Sequence, residues 1–189
     1  MNNILHEGER LDDLELDNLM IIQKQSGYKF STDSVLLANF VKVKSNDVYV
    51  DLCTGSAVIA ILASYKNKVK KCYAVEIQEE MAERAKRSVK YNKLNIEILN
   101  EDLMDTPKTL GYESVDVITV NPPYNDRGIT SEADEIAIST HEIKTNLSKI
   151  VLSANKLLKF GGKLFMVHKA DRLVDIMFEL RKNKLEPKF

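Results

Sequence analysis

Short β-branched runs alternate along this chain with stretches whose apolar residues recur at helical spacing. Val48-Tyr49-Val50-Asp51-Leu52 predicts core strand one, and Ser56 to Tyr65 the helix after it. Cys72 to Glu76 predicts strand two, followed by a helix over Gln78 to Asn92 with Met81, Ala85 and Val89 on one face. Its wet side carries Glu80–Arg84 and Glu83–Arg87 at i,i+4 spacing, which favours a helix. Ile96 to Leu99 predicts strand three and Val115 to Val120 strand four. A polar stretch over 125–141 then leads to a helix whose apolar face is Ile143, Leu147, Ile150, Val151, Ala154 and Leu158. Gly161-Gly162 is expected to end that helix by allowing positive φ. Lys163 to His168 predicts strand five, and Arg172 to Asn183 a last helix with Leu173, Ile176, Met177 and Leu180 inward.

Ahead of this pattern, Leu14, Leu16 and Leu19 to Ile22 suggest an extended or hairpin segment leading to Gly27-Tyr28. Ser31-Thr32-Asp33 before Val35 to Phe40 is a helix N-cap signal, since a side-chain oxygen there satisfies free backbone N–H groups. Near-continuous apolar strands alternating with helices predict a doubly wound, Rossmann-like α/β fold, a parallel sheet covered on both faces.

At 189 residues, with 44% hydrophobic and 29% charged residues, the composition is that of one folded domain. No apolar run approaches the roughly 20 residues that span a bilayer, and the N-terminus lacks the basic and apolar regions of a secretory signal, so a cytoplasmic location and no membrane partner are expected. Two cysteines and three scattered histidines suggest neither a disulfide framework nor a metal site. The net charge of −1 hides an asymmetry: residues 1–20 carry six acids against Arg10, and residues 156–189 nine Lys/Arg against four acids. Lys66, Lys68, Lys70 and Lys71 read first as a solvated loop before a strand, with a local basic surface as the alternative.

In such a sheet, ligands sit at the carboxyl ends of the strands, and four strand ends here are polar. Asp51-Leu52-Cys53-Thr54-Gly55-Ser56-Ala57 offers a tight turn at Gly55, without the G-x-G-x-x-G of a dinucleotide site; a carboxylate there repels phosphate but accepts hydrogen bonds from an ammonium group. Glu76 ends strand two, 21 residues beyond Gly55, where a carboxylate takes the two hydroxyls of a ribose. Glu101-Asp102 after strand three offers an acceptor for the amino group of an adenine ring. Asn121-Pro122-Pro123-Tyr124 follows strand four directly.

That last loop suits a particular chemical problem. An exocyclic amine on a purine is a poor nucleophile, because its lone pair is delocalised into the ring. The Asn121 amide oxygen and the Pro122 carbonyl are candidates to grip its hydrogens and direct the lone pair at an electrophilic methyl. The prolines hold that geometry in advance, and Tyr124 offers a face on which a base can stack.

With these residues the chain resembles the class I S-adenosylmethionine-dependent amino-methyltransferases that carry an (Asn/Asp)-Pro-Pro-(Tyr/Phe) motif. Gly27 to Ala38 together with Asn121 to Tyr124 is most similar to the bacterial valine-tRNA adenine-37 N6 methyltransferases. The resemblance implies S-adenosylmethionine as cofactor, tRNA as substrate and methyl transfer to adenine N6 without a metal. It implies that Asp51, Cys53, Thr54 and Gly55 line the methionine part of the cofactor, Glu76 its ribose and Asp102 its adenine. Thr32 and Asp33 would close the site, and Asn121 would touch both cofactor and base. One methyltransferase domain is expected, with residues 1–45 as a cofactor-lid segment and 46–189 as the core. That core is expected to be cut short at its C-terminus, lacking the family's closing hairpin, strands six and seven. Cys53 and Ala57 replace two glycines of the family's Asp-Leu-Gly-x-Gly-x-Gly pattern.

Three alternatives stand beside this reading. A protein glutamine N5-methyltransferase uses a similar loop, because an amide nitrogen poses the same problem. A guanine-N2 RNA methyltransferase is a close variant. An inactive cofactor-binding scaffold is a reading of another class.

Overall fold

In the computed structural model, residues 4–26, 29–122 and 147–188 are described. The N-terminal segment forms an antiparallel pair, β1 (Glu9–Asp13) and β2 (Met20–Lys24), and then α1 (Thr32–Phe40). The alternating region follows as β3 (Val48–Leu52), α2 (Val58–Asn67), β4 (Lys71–Val75), α3 (Glu79–Tyr91), β5 (Ile96–Leu99), α4 (Thr106–Leu110) and β6 (Val115–Val120). After the gap come α5 (Leu147–Leu157), β7 (Leu158–Met166) and α6 (Leu173–Lys182).

The sheet has the order β5-β4-β3-β6-β7, with every pairing parallel. From β3 the chain winds outward through β4 and β5, then crosses back to β6 and β7, so the order reverses between β3 and β6. Alternate residues of β3 serve opposite faces. Tyr49 joins the core beneath α1, α2 and α3, whereas Val50 and Leu52 join Ile118, Val120 and Ile150 beneath α5. The doubly wound expectation is met by helices on both faces.

The N-terminal pair is fastened to α3 by polar contacts that are shielded from water. Ile22 N–H donates to Ser88 Oγ at 3.0 Å and Met20 N–H to Asn92 Oδ1 at 2.9 Å. Glu9, on β1, accepts from Arg87 at 2.5 and 2.7 Å and from Arg84 at 3.2 Å. Arg87, ahead of every other influence, holds the Glu9 carboxyl down at about 2. This arrangement departs from the expected i,i+4 pairs. Glu83–Arg87 forms, but Arg84 turns inward to Glu9 and Glu80 pairs with Lys24 at 2.8 Å. A second chain segment packed on that face of α3 supplies partners that a helix read alone lacks.

Three further expectations are corrected. The sheet does not stop before strands six and seven. Counted along the chain, β6 and β7 occupy those places, and they lie side by side in the sheet, parallel to one another. The sequence count came out lower because it did not number β1 and β2 as strands. Gly161-Gly162 does not end a helix: α5 stops at Leu157, and the glycines lie inside β7, where the register with β6 shifts between Val115 and Val117. Gly161 has φ +79°, and a Cβ on Gly162 would stand 2.9 Å from the Lys159 carbonyl oxygen, so the bulge needs glycine at both positions. On α6, Leu173 is 58% exposed and Met177 also faces outward, against the expected inward stripe, whereas Ile176 and Leu180 of that stripe are half-buried. That helix meets α5 near its own C-terminal end, where Asn155 donates to the Asn183 carbonyl, and Leu185 joins the core instead.

Ser31 holds the N-cap position of α1, but its side chain makes no capping bond. Gly27-Tyr28, the polar stretch 125–141 and Ile143 lie outside the described residues. Among those described, no helix is long and apolar enough to cross a membrane.

Candidate active site at the carboxyl ends of the strands

The reversal of strand order between β3 and β6 opens a crevice at the carboxyl ends of those strands, and the polar strand ends converge there. Asp51 is the fourth residue of β3 and is wholly buried. Its Oδ2 accepts from the Thr54 hydroxyl at 2.5 Å and its Oδ1 from the Thr119 hydroxyl at 2.6 Å. Thr119 lies within 2.6 Å of the Tyr49 hydroxyl in turn. With the Thr119 proton committed to Asp51, Tyr49 must be the donor in that last bond. Burial, the largest influence, pushes the Asp51 carboxyl up to about 7, partly offset by the two hydroxyls. The chain thus keeps a carboxylic group with no exposed surface under the turn and spends both its oxygens on holding Thr54 and β6.

The turn itself is left-handed at alternate residues: Cys53 at φ 56°, Gly55 at 57° and Ala57 at 66°. Two of these, Cys53 and Ala57, carry a side chain where glycine is the unstrained choice, at a cost of roughly 1–2 kcal/mol each. Nothing lies within 4 Å of a Cβ built on Gly55, so the backbone there faces open space.

Glu76, just past β4 and only 5% exposed, closes the other side of the turn. Its Oε2 accepts from Gly55 N–H at 2.8 Å and its Oε1 from Gln78 N–H at 2.9 Å. The 21-residue spacing read from the sequence is therefore a direct bond across neighbouring strands. Burial raises the Glu76 carboxyl above its ordinary range, against the pull of those N–H donors. At the end of β5, Asp102 Oδ1 accepts from Met104 N–H at 2.9 Å. The Cys53 thiol is pushed well up by burial first and then by the charges of Glu76, Asp51 and Asp102, so all three carboxylates act on one point of the crevice.

Across the crevice, Asn121 follows β6 and its Nδ2 donates to Ser34 Oγ at 3.1 Å. Ser34 lies in the first turn of α1, two residues from Thr32 and beside Asp33. The N-terminal segment thus reaches the carboxyl end of β6. Pro122 is buried; Pro123 and Tyr124 lie outside the described residues. Among the described residues no cluster of His, Cys, Asp and Glu is arranged to hold a metal ion.

The family profile described as "Methyltransferase small domain" matches residues 25–182. The chain belongs to that family. Among curated relatives of this methyltransferase small domain is the tRNA1(Val) (adenine(37)-N6)-methyltransferase of Histophilus somni, 25% identical over 78% of this chain and 63% of its own length. The protein of the same name from Porphyromonas gingivalis is 25% identical over 67% of this chain and 51% of its own length. The chain therefore spans less than two thirds of these relatives. Among solved structures, TYW2 of M. jannaschii in complex with AdoMet has a TM-score of 0.65 at 17% identity, covering 95% of this chain and 74% of that one. A SAM-dependent O-methyltransferase from Thermotoga maritima has a TM-score of 0.60 at 17% identity, covering 84% and 52%. At these identities the likeness is one of fold, the Rossmann-like α/β fold of SAM-dependent methyltransferases.

Within this methyltransferase small domain, Asp51, Cys53, Thr54, Gly55, Glu76 and Asp102 lie at the carboxyl ends of β3, β4 and β5, and Asn121 follows β6 against Ser34 of α1, the helix that begins with Thr32 and Asp33. Sequence reading missed Thr119, Tyr49 and Ser34. Thr119 was the legible one, a lone hydroxyl in an otherwise apolar stretch of strand; Tyr49 and Ser34 gave no signal, since their partners lie 70 and 87 residues away.

Proposed function

We propose that this chain transfers a methyl group from S-adenosylmethionine to the exocyclic N6 amino group of adenine in tRNA, with position 37 of a valine tRNA as the target. The observation that carries this reading is Asn121-Pro122 at the carboxyl end of β6, beside the switch in strand order, with the amide nitrogen donated to Ser34. In this reading the amide oxygen is the end that accepts from the amine. The curated tRNA methyltransferase relatives supply the substrate class.

The residues present fit such a cofactor. Glu76 oxygens each accept one backbone N–H in the structure and have capacity for ribose hydroxyls as well. Open space over Gly55 admits a ligand against the backbone. Cys53, Thr54 and Gly55 line the methionine end, where Asp51 acts through Thr54 rather than by direct contact. Asp102 faces the adenine end, and Thr32 and Asp33 close the crevice from α1. S-adenosylmethionine, when bound, supplies an electrophilic methyl on sulfur. Asn121 Oδ1 and the Pro122 carbonyl accept the two amine hydrogens, favour pyramidal nitrogen and aim its lone pair. The amine would take up that methyl with loss of one proton to solvent. Pro123 and Tyr124 are assigned the rigid turn and the stacking face.

Incubation with S-adenosylmethionine labelled in its methyl group and bulk tRNA lacking this modification, followed by nucleoside digestion, tests the reading. Label in N6-methyladenosine is expected. Label in N2-methylguanosine or in protein would overturn it in favour of a guanine or glutamine acceptor, and cofactor binding without transfer would indicate a scaffold.

A further inference from the structure

The opposite end of the same sheet has a different character. Lys42 and Lys44 precede β3, Lys66, Lys68, Lys70 and Lys71 lead into or begin β4, and Lys90 and Lys93 precede β5. All eight side chains are exposed. Since β5, β4 and β3 are neighbours in that order, the three connections lie side by side along one rim. Hydrogen bonds stitch them together, Lys70 N–H to the Ser45 carbonyl at 3.0 Å and Asn95 Nδ2 to the Lys70 carbonyl at 3.0 Å.

None of the eight forms an ion pair among the described residues. Lys66 bonds Asn39, and Lys71 lies 5.7 Å over the Tyr73 ring. Two acids near the rim accept hydrogen bonds from the fold, Asp47 from Lys44 N–H and Asp17 from the Tyr65 hydroxyl at 3.0 Å. A lysine at a helix C-terminus is ordinary, because it answers the helix dipole. That accounts for Lys66 and Lys90, in the last turns of α2 and α3, and not for Lys42, Lys44, Lys70 and Lys71. Lys68 and Lys93 moreover take φ 50° and 53°, the left-handed conformation in which glycine or asparagine is the unstrained residue.

Between the second and third connections lies a hollow of about 600 Å³. Lys66, Lys68 and Lys93 edge it against the single acid Asp17, Val69 and Leu94 line it, and Tyr65 stands at its side. Tyr65 and Tyr91 are 36% and 43% exposed among the lysines. Cations interleaved with aromatic rings suit a chain of phosphates that carries bases, whereas a membrane surface would call for large aliphatic side chains between the lysines.

We infer that this amino-end rim is a second RNA-binding surface, which holds the phosphate backbone of an RNA independently of its sequence and takes an unstacked base into the hollow beside Tyr65. The inference rests on the RNA-modifying reading for its partner class, though it concerns a surface remote from the reacting amine. Strands of five residues set the two ends of the sheet ~17 Å apart, so only an extended molecule reaches both.

Fluorescence anisotropy of labelled tRNA and of a labelled RNA hairpin unrelated to tRNA tests it, with the wild type and with the K66Q/K68Q/K93Q variant, between 50 and 200 mM salt. Both RNAs are expected to bind the wild type, with the variant weakened at least about tenfold at the lower salt. Its log Kd against log salt slope should be lower by about two to three, one counterion-releasing contact for each lysine removed. Unchanged affinity in a variant that melts like the wild type would overturn the inference. Equal displacement of the RNA by polyglutamate, inorganic polyphosphate or phosphatidylserine vesicles at matched charge would do the same, and would assign the rim to that partner. Binding is read without cofactor and methyl transfer separately. RNA held by the lysines without transfer would sink the proposed reaction and spare the rim, and transfer with unaltered variant binding would do the reverse.

Discussion

The two ends of one parallel sheet use charge in opposite ways. At the carboxyl end, Asp51 and Glu76 are buried and every oxygen accepts a hydrogen bond from the fold. At the amino end, eight lysines are exposed and none is ion-paired within the described residues. Placing a carboxylate out of water costs free energy unless donors are arranged for it. In the crevice the chain meets that cost where β3, β4 and β6 supply a turn, two hydroxyls and backbone N–H groups. Exposed lysines need no such arrangement. The contrast teaches that a small-molecule site must be built in advance, whereas a surface for a polyanion needs only density of charge.

The largest expected effect separates the two ends by pH. Asp51 binds its proton more tightly folded than unfolded, with about 7 against 3.8. The folded state therefore holds more protons between those values, and stability falls as pH rises from about 4 to about 7, by about 4 kcal/mol, and is flat above. Glu9 acts with opposite sign. Its carboxyl is lowered from 4.5 to about 2, so its contribution of about 3 kcal/mol is complete above pH 4.5 and is lost as pH falls toward 2. Together they place maximum stability near pH 4 to 5. Urea unfolding across pH 2–8 checks this, and Asp51→Asn should remove the larger part of the decline above pH 4, leaving the part due to Glu76, which burial also raises. The lysine triple variant should keep the wild-type profile, and loss of the decline in that variant would break the contrast.

Next in size is Glu76→Gln. Hydrogen bonds to a charged group contribute about 1.5–3 kcal/mol, so S-adenosylmethionine affinity is expected to fall between about tenfold and a hundredfold by calorimetry. The lysine variant should bind cofactor as the wild type does. Smaller still is Gly55→Ala: no atom lies in the way of the new methyl, so only the φ of 57° resists it, and the melt should report a loss of roughly 1–2 kcal/mol. A much larger loss would mean that the open space over Gly55 is not there in solution.

Most of the sheet was legible in the sequence, because parallel strands buried on both faces leave apolar runs such as Val115 to Val120 that resemble little else. The site residues were legible for the same reason, as polar exceptions at the ends of those runs. What escaped depended on distant partners. Arg84 looks like a helix-surface residue until β1 brings Glu9 against it, and Gly161-Gly162 looks like a helix stop until β6 approaches too closely for a Cβ. Leu173 and Met177 of α6 were misread because an amphipathic pattern says that a side is apolar, not that something covers all of it. Four of the rim lysines were visible as a cluster, but only strand order adds Lys42, Lys44, Lys90 and Lys93 to them.

The central claim is that Asn121, held by Ser34 at the end of β6, presents the acceptors that turn an adenine amine into a nucleophile. Single-turnover methyl transfer to tRNA at saturating cofactor and RNA, compared between the wild type and Asn121→Ala, tests it most directly. Loss of one preorganised group aimed at the reacting centre is expected to slow transfer by about a hundredfold to a thousandfold, with cofactor affinity within about threefold of the wild type. Transfer at the wild-type rate by Asn121→Ala would contradict the account.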